Sequence, residues 1–83
     1  MRQLFRMAQR LTGLVARLIS LECFKEGLDA HMESLELAVE EARDDSIKNH
    51  LLRELVMVTD MNLTTAREMQ RVYNSIFVVL ERD

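Results

Sequence analysis

Residues 4–42 read LFRMAQRLTGLVARLISLECFKEGLDAHMESLELAVEEA, and this stretch decides the fold. Apolar side chains recur in it at alternating steps of three and four residues, and only Lys25 breaks the pattern. A period of 3.5 residues sustained over this length is typical of a helix that lies along another helix. The seam of this first helix comprises Leu4, Met7, Leu11, Leu14, Leu18, Leu21, Leu28, Met32, Leu35, Val39 and Ala42.

The composition favours a few long helices. The chain has 83 residues, which sets one domain as the expectation, and it contains no proline and only two glycines, Gly13 and Gly27. Sheets connected by tight turns need those residue types at their corners. We therefore predict an all-α protein in the form of an antiparallel helical hairpin.

The segment Asp44-Asp45-Ser46 predicts the turn of this hairpin. Short acidic and hydroxyl side chains accept hydrogen bonds from the first N–H groups of a helix that follows them. The predicted elements are helix one over about 3–43, a turn over 44–46 and helix two over about 47–81. Gly27 leaves a second possibility open, a break that would divide the first helix and give three helices.

The second helix carries two apolar stripes, and the sequence alone does not decide which one faces the first helix. One stripe comprises Leu51, Leu55, Val58, Met69, Val72, Ile76 and Val79. The other comprises Leu52, Val56, Leu63, Ala66, Tyr73, Phe77 and Leu80. The first helix adds apolar residues outside its seam, namely Phe5, Val15, Ile19, Phe24 and Leu37.

This apolar surface exceeds what a two-helix hairpin can bury. Leaving half a dozen large apolar side chains in water would forgo roughly 10 kcal/mol, at about 1.5–3 kcal/mol each. We expect another polypeptide to cover the surplus, either a second copy or a different helical protein. The predicted partner-binding residues are Leu52, Val56, Leu63, Val72, Tyr73, Ile76, Phe77 and Leu80.

Charge is distributed unevenly along the chain. The net charge is −3, yet the first 21 residues carry four arginines and no acid. The overall acidity argues against bulk nucleic-acid binding, and no apolar run is long enough to predict a membrane span. The arginines form a candidate electrostatic flank for acids, phosphates or RNA, with solvated surface charge as the alternative: Arg2, Arg6, Arg10 and Arg17.

The sequence predicts no catalytic, cofactor-binding or metal site. His31 and His50 have no ligand spacing, and no serine has a histidine and an acid at a recognisable distance in sequence. We interpret both histidines as partly exposed structural residues. Cys23 is the only cysteine, which fits a reducing cytoplasm, and we interpret it as a small core or interface residue.

The end of the second helix reads RVYNSIFVVLE over residues 71–81. Its pattern of Arg71, Asn74-Ser75, Val78-Val79 and Glu81 resembles the C-terminal helix of the small co-chaperones of bacterial type III secretion. The length of the chain and the distance from the acidic turn to Arg71 are also similar. The arginine-rich opening lies outside the resemblance.

The resemblance implies a cytoplasmic, non-enzymatic co-chaperone. Such proteins pair with a larger partner made of helical repeats, and the pair keeps the needle subunit unpolymerised until export. The alternative from the residues themselves is a homodimeric helical-bundle regulator, or an RNA-binding adaptor that uses the N-terminal arginines. A membrane-surface helix over residues 1–21 is a third and weaker hypothesis.

Overall fold

The computed structural model describes residues 2–82, which form two long α-helices. α1 spans Arg2–Glu41 and α2 spans Asp45–Glu81. The helices pack side by side in opposite directions, and the hairpin measures 65 × 15 × 12 Å. This confirms the prediction of an all-α helical hairpin. The break near Gly27 is absent, because α1 runs through that residue without interruption.

Gly27 offers a direct test of this continuity. A Cβ atom built on Gly27 would have no neighbouring atom within 4 Å. Gly27→Ala should therefore raise the free energy of unfolding by about 1 kcal/mol, since alanine loses less backbone freedom than glycine in a helix. Urea unfolding followed by circular dichroism measures this change. The mirror substitution Ala30→Gly, at an exposed position of the same helix, should lower stability by a similar amount. A less stable Gly27→Ala variant would contradict an unbroken α1.

The connection between the helices occupies residues 42–44, two residues earlier than predicted. Asp44 has an extended backbone (φ −90°, ψ 124°), and its Oδ1 accepts hydrogen bonds from the N–H groups of Ser46 at 2.8 Å and Ile47 at 3.4 Å. An N-cap residue lies outside the helical conformation, so α1 has to end before it. The acidic segment does start the second helix, with Asp44 as its cap.

The interface between the helices uses the first of the two stripes on α2. Val58, Thr65, Val72 and Val79 follow one another at seven-residue steps, and all four are buried. They pack against α1, whose buried residues are Leu28 and Leu35, and we call this contact the seam of the hairpin. The second stripe of α2 is thereby turned away from α1.

The polar residues in the middle of the seam form hydrogen bonds and do not interrupt the helix. The buried Thr65 hydroxyl donates to the carbonyl of Met61 at 2.8 Å, and α2 is continuous through this position. The Asn62 side-chain amide donates to Asp29 Oδ1 at 2.6 Å across the seam. This hydrogen bond is the main cause that lowers the pKa of the Asp29 carboxyl, and the ammonium group of Lys25 lowers that pKa further.

The seam does not extend over the first turn of α1. Leu4 begins the apolar pattern in the sequence, yet 63% of its surface is exposed. α2 ends at Glu81 and provides no facing turn for it. The open end of the hairpin, where α1 begins and α2 ends, therefore carries apolar side chains that the fold leaves uncovered.

Candidate helix-docking face

Four contacts between the helices define two long sides of the hairpin. On one side, the Tyr73 hydroxyl donates to Glu22 Oε1 at 3.4 Å, and Asn62 bonds Asp29. On the other side, Arg17 pairs with Glu68, and His31 Nε2 lies 3.4 Å from Glu54 Oε1. We call these the Tyr73 side and the Glu68 side. Residues three, four or seven positions apart on a helix share a side, so the remaining residues can be assigned from these contacts.

The second stripe of α2 lies on the Tyr73 side and is exposed. Val56 keeps 69% of its surface in contact with solvent, Phe77 61% and Leu63 53%. The side chains of Leu52, Tyr73 and Leu80 are exposed as well. These side chains lie on one stripe of three- and four-residue steps along α2, whose intervening positions are Thr59, Ala66 and Gln70. They form a stripe wide enough to be the seam with a further helix.

α1 extends this surface at the open end of the hairpin. Val15 and Ile19 precede Glu22 by seven and three residues, and Phe5 precedes Ile19 by two seven-residue steps, so all three share the Tyr73 side. Each is exposed. The same row becomes acidic toward the turn, where it continues through Glu26, Glu33 and Glu40. We define the outer face as the exposed apolar residues of the Tyr73 side: Phe5, Val15, Ile19, Leu52, Val56, Leu63, Tyr73, Phe77 and Leu80.

The structure corrects the predicted partner-binding set at two positions. Val72 is only 4% exposed and belongs to the seam, and Ile76 is half-buried beside it. Both follow the first stripe of α2, which α1 covers. Both stripes of α2 repeat at seven residues, so the sequence held no signal that placed Val72 in the seam. The sequence also supplied Phe5, Val15 and Ile19 as surplus residues without assigning them to the site.

The predicted arginine flank is divided by the structure. Arg17 is paired with Glu68, which also contacts Arg71 at 3.4 Å. Arg6 and Arg10 line an open pocket at the end of the hairpin together with Arg82. The apolar part of the lining is Leu4, Met7 and Val79. Arg2 is exposed on the first turn of α1 and is not among the lining residues.

The histidine and cysteine side chains of the hairpin lie apart from one another. His31 lies beside Glu54, whereas His50 is exposed near the turn. Cys23 is exposed on α1, so it does not lie in the core, and its role as an interface residue stays a prediction. Within residues 2–82, no three His, Cys, Asp or Glu side chains are arranged as a set of metal ligands.

Comparison of the chain with protein-family models, with curated proteins and with solved structures gives no match. Neither helix, over the described residues, combines the length and the apolar character needed to cross a membrane. The outer face and the charges around it are therefore the features on which a functional proposal rests.

Proposed function

We propose that this chain is a non-enzymatic interaction module that binds helices of another polypeptide on its outer face. The supporting observation is the second apolar stripe of α2, which the hairpin leaves exposed from Leu52 to Leu80. A surface helix of a folded protein normally carries one such stripe. Two stripes on one helix are expected when it packs between two neighbours.

The cost of leaving this face in water supports the same proposal. Each large apolar side chain that a partner covers contributes about 1.5–3 kcal/mol. The outer face holds nine of them. A contiguous exposed apolar surface on a small protein marks an interaction site or an aggregation hazard.

In its more specific form, we propose a cytoplasmic co-chaperone of type III secretion. The segment that carries the resemblance, residues 71–81, includes three residues of the outer face, Tyr73, Phe77 and Leu80. A helical-repeat partner would lay its helices on this end of α2, and the pair would keep the needle subunit unpolymerised. The resemblance supports this form, and the exposure of the three side chains is compatible with it.

An RNA-binding adaptor is the alternative that one observation favours. Arg6, Arg10 and Arg82 surround an open pocket, and none of them pairs with an acid among residues 2–82. The net charge of −3 opposes this alternative. Counterion release makes RNA binding fall steeply with salt, so a gel-shift assay over a salt series decides it.

Capture of partners by the tagged full-length chain tests the main proposal. We expect mass spectrometry to identify a helical protein that binds the wild type and is lost with Val56→Glu, because the carboxylate would be buried without a partner. Met57→Glu is the matched control. Met57 is 66% exposed and lies three residues from Glu54, on the Glu68 side, so its substitution should preserve capture. Equal capture by both variants and the wild type would refute docking on the outer face.

A further inference from the structure

We infer that the outer face is occupied by a second copy of this chain, with the two α2 helices packed antiparallel. The inference rests on the proposed function, since it names the occupant of the same face. Three properties of the hairpin carry it: the size of the uncovered surface, the order of side chains along α2, and the separation of charge between the two ends.

The hairpin exposes more surface than a compact protein of its mass, and the surplus is of the order that a stable dimer interface buries. The hairpin exposes 6748 Å², whereas a compact monomer of this 9.7 kDa mass exposes about 5,100 Å². The difference is roughly 1,600 Å² per chain, and obligate homodimers bury about 1,000–2,500 Å² per partner. A second hairpin laid on the first would remove a surface of this order and form a four-helix bundle.

The outer stripe of α2 is suited to pairing with itself in the opposite direction. If Ala66 lies on a two-fold axis, Leu52 of each copy faces Leu80 of the other, and Val56 faces Phe77. Large apolar residues then meet at both ends of the contact. The small side chain of Ala66 allows close approach at the centre. Symmetric closure of this kind pairs the outer stripe with itself, so this contact does not propagate into a fibre.

Charge selects the antiparallel direction. The open part of the hairpin, residues 2–21 and 69–82, holds six arginines and one acid and has net charge +5. The rest of the described residues, 22–68, have net charge −7. An antiparallel dimer brings the positive end of each copy alongside the negative stretch of the other. A parallel dimer would set like charges against each other at both ends, which is unfavourable.

Disulfide trapping tests the direction and the register together. In the full chain with Cys23→Ser, Ala66→Cys should convert most of the protein into a disulfide-linked dimer under mild oxidation, because the two side chains meet at the axis. Thr64→Cys in the same background is the matched control. Thr64 is exposed and lies seven residues from Arg71, on the Glu68 side, so this variant should form little linked dimer.

Light scattering on the untrapped wild-type chain supplies the second measurement. We expect a mass near twice 9.7 kDa at micromolar concentration, with a dissociation constant that rises several-fold with added NaCl, because salt screens the attraction between opposite ends. A parallel dimer would instead tighten with salt. The inference is overturned if the chain is a monomer, or if its dissociation constant falls with added NaCl. It is also overturned if Thr64→Cys forms as much linked dimer as Ala66→Cys.

These outcomes are separable from failure of the proposed function. If the isolated chain is monomeric but Val56→Glu still removes a captured helical protein, the face binds a different partner, so the second-copy inference is wrong and the proposed function stands. If the chain is monomeric and Val56→Glu changes no association, both are wrong. A helical-repeat partner that used the same residues would displace the second copy.

Discussion

The Phe77→Glu variant is expected to remain a helical hairpin and to lose its assembly. Phe77 lies outside the seam, and 61% of its surface is exposed in the isolated hairpin. In the assembly it would be buried against Val56 of a second copy. The substitution therefore places a carboxylate in an apolar contact without a partner for it.

Symmetry doubles the effect of this substitution. Each dimer contains the Phe77 contact twice, and losing a buried large apolar side chain costs about 1.5–3 kcal/mol. The dissociation constant should rise by about 10²–10⁴-fold, which analytical ultracentrifugation over a concentration series can measure. Circular dichroism should show that the helical content of the variant is close to that of the wild type.

Val78→Glu is the neighbouring control. Val78 is 45% exposed and lies seven residues from Arg71, on the Glu68 side of the hairpin. The same carboxylate at this position should leave the dissociation constant close to the wild-type value. If Phe77→Glu and Val78→Glu weaken the assembly equally, a general effect of added charge explains both and the outer face has no special role.

The Leu35→Ala variant should be the most destabilised of the hairpin variants considered. Leu35 is 6% exposed and packs in a buried cluster of the seam with Leu28 and Val58. Truncating a buried leucine to alanine typically costs about 2–5 kcal/mol, through lost transfer free energy and the cavity left behind. A small protein has only a few kcal/mol of stability in total, so the variant should be partly unfolded near room temperature.

Leu37→Ala measures the same chemical change outside the seam. Leu37 is two residues away on α1 and 55% exposed. Its truncation should change the free energy of unfolding by less than about 0.5 kcal/mol. Urea unfolding at one fixed protein concentration compares the two variants, because dimerisation makes the apparent stability depend on concentration. Equal losses of unfolding free energy in the two variants would mean that Leu35 does not lie in the buried core.

The two predictions separate folding from association. Leu35 acts in the contact between α1 and α2, and its loss should lower helicity and assembly together. Phe77 acts only between chains, and its loss should lower assembly alone. A protein whose seam and outer face were one continuous core would not show this separation.

The sequence by itself determined the two helices, their turn and the surplus of apolar surface. Local chemistry is sufficient for these features. The period of 3.5 residues in α1 specifies a helix packed on a helix, and the Asp44 carboxylate caps the next helix through its own neighbours in sequence. The second helix begins two residues earlier than predicted because Asp44 is itself its N-cap, so Asp45 is already helical.

Only the tertiary structure decided which stripe of α2 is buried, because both stripes satisfy the same periodicity and a helix carries no local preference between them. Packing against α1 selected the row of Val58, Thr65, Val72 and Val79. That choice moved Val72 from the predicted docking set into the seam and left Phe77 outside. The same packing placed Ile19 and Phe77 on one side of the hairpin. This placement depends on how the two helices are rotated about their axes, and therefore on contacts between residues far apart in sequence.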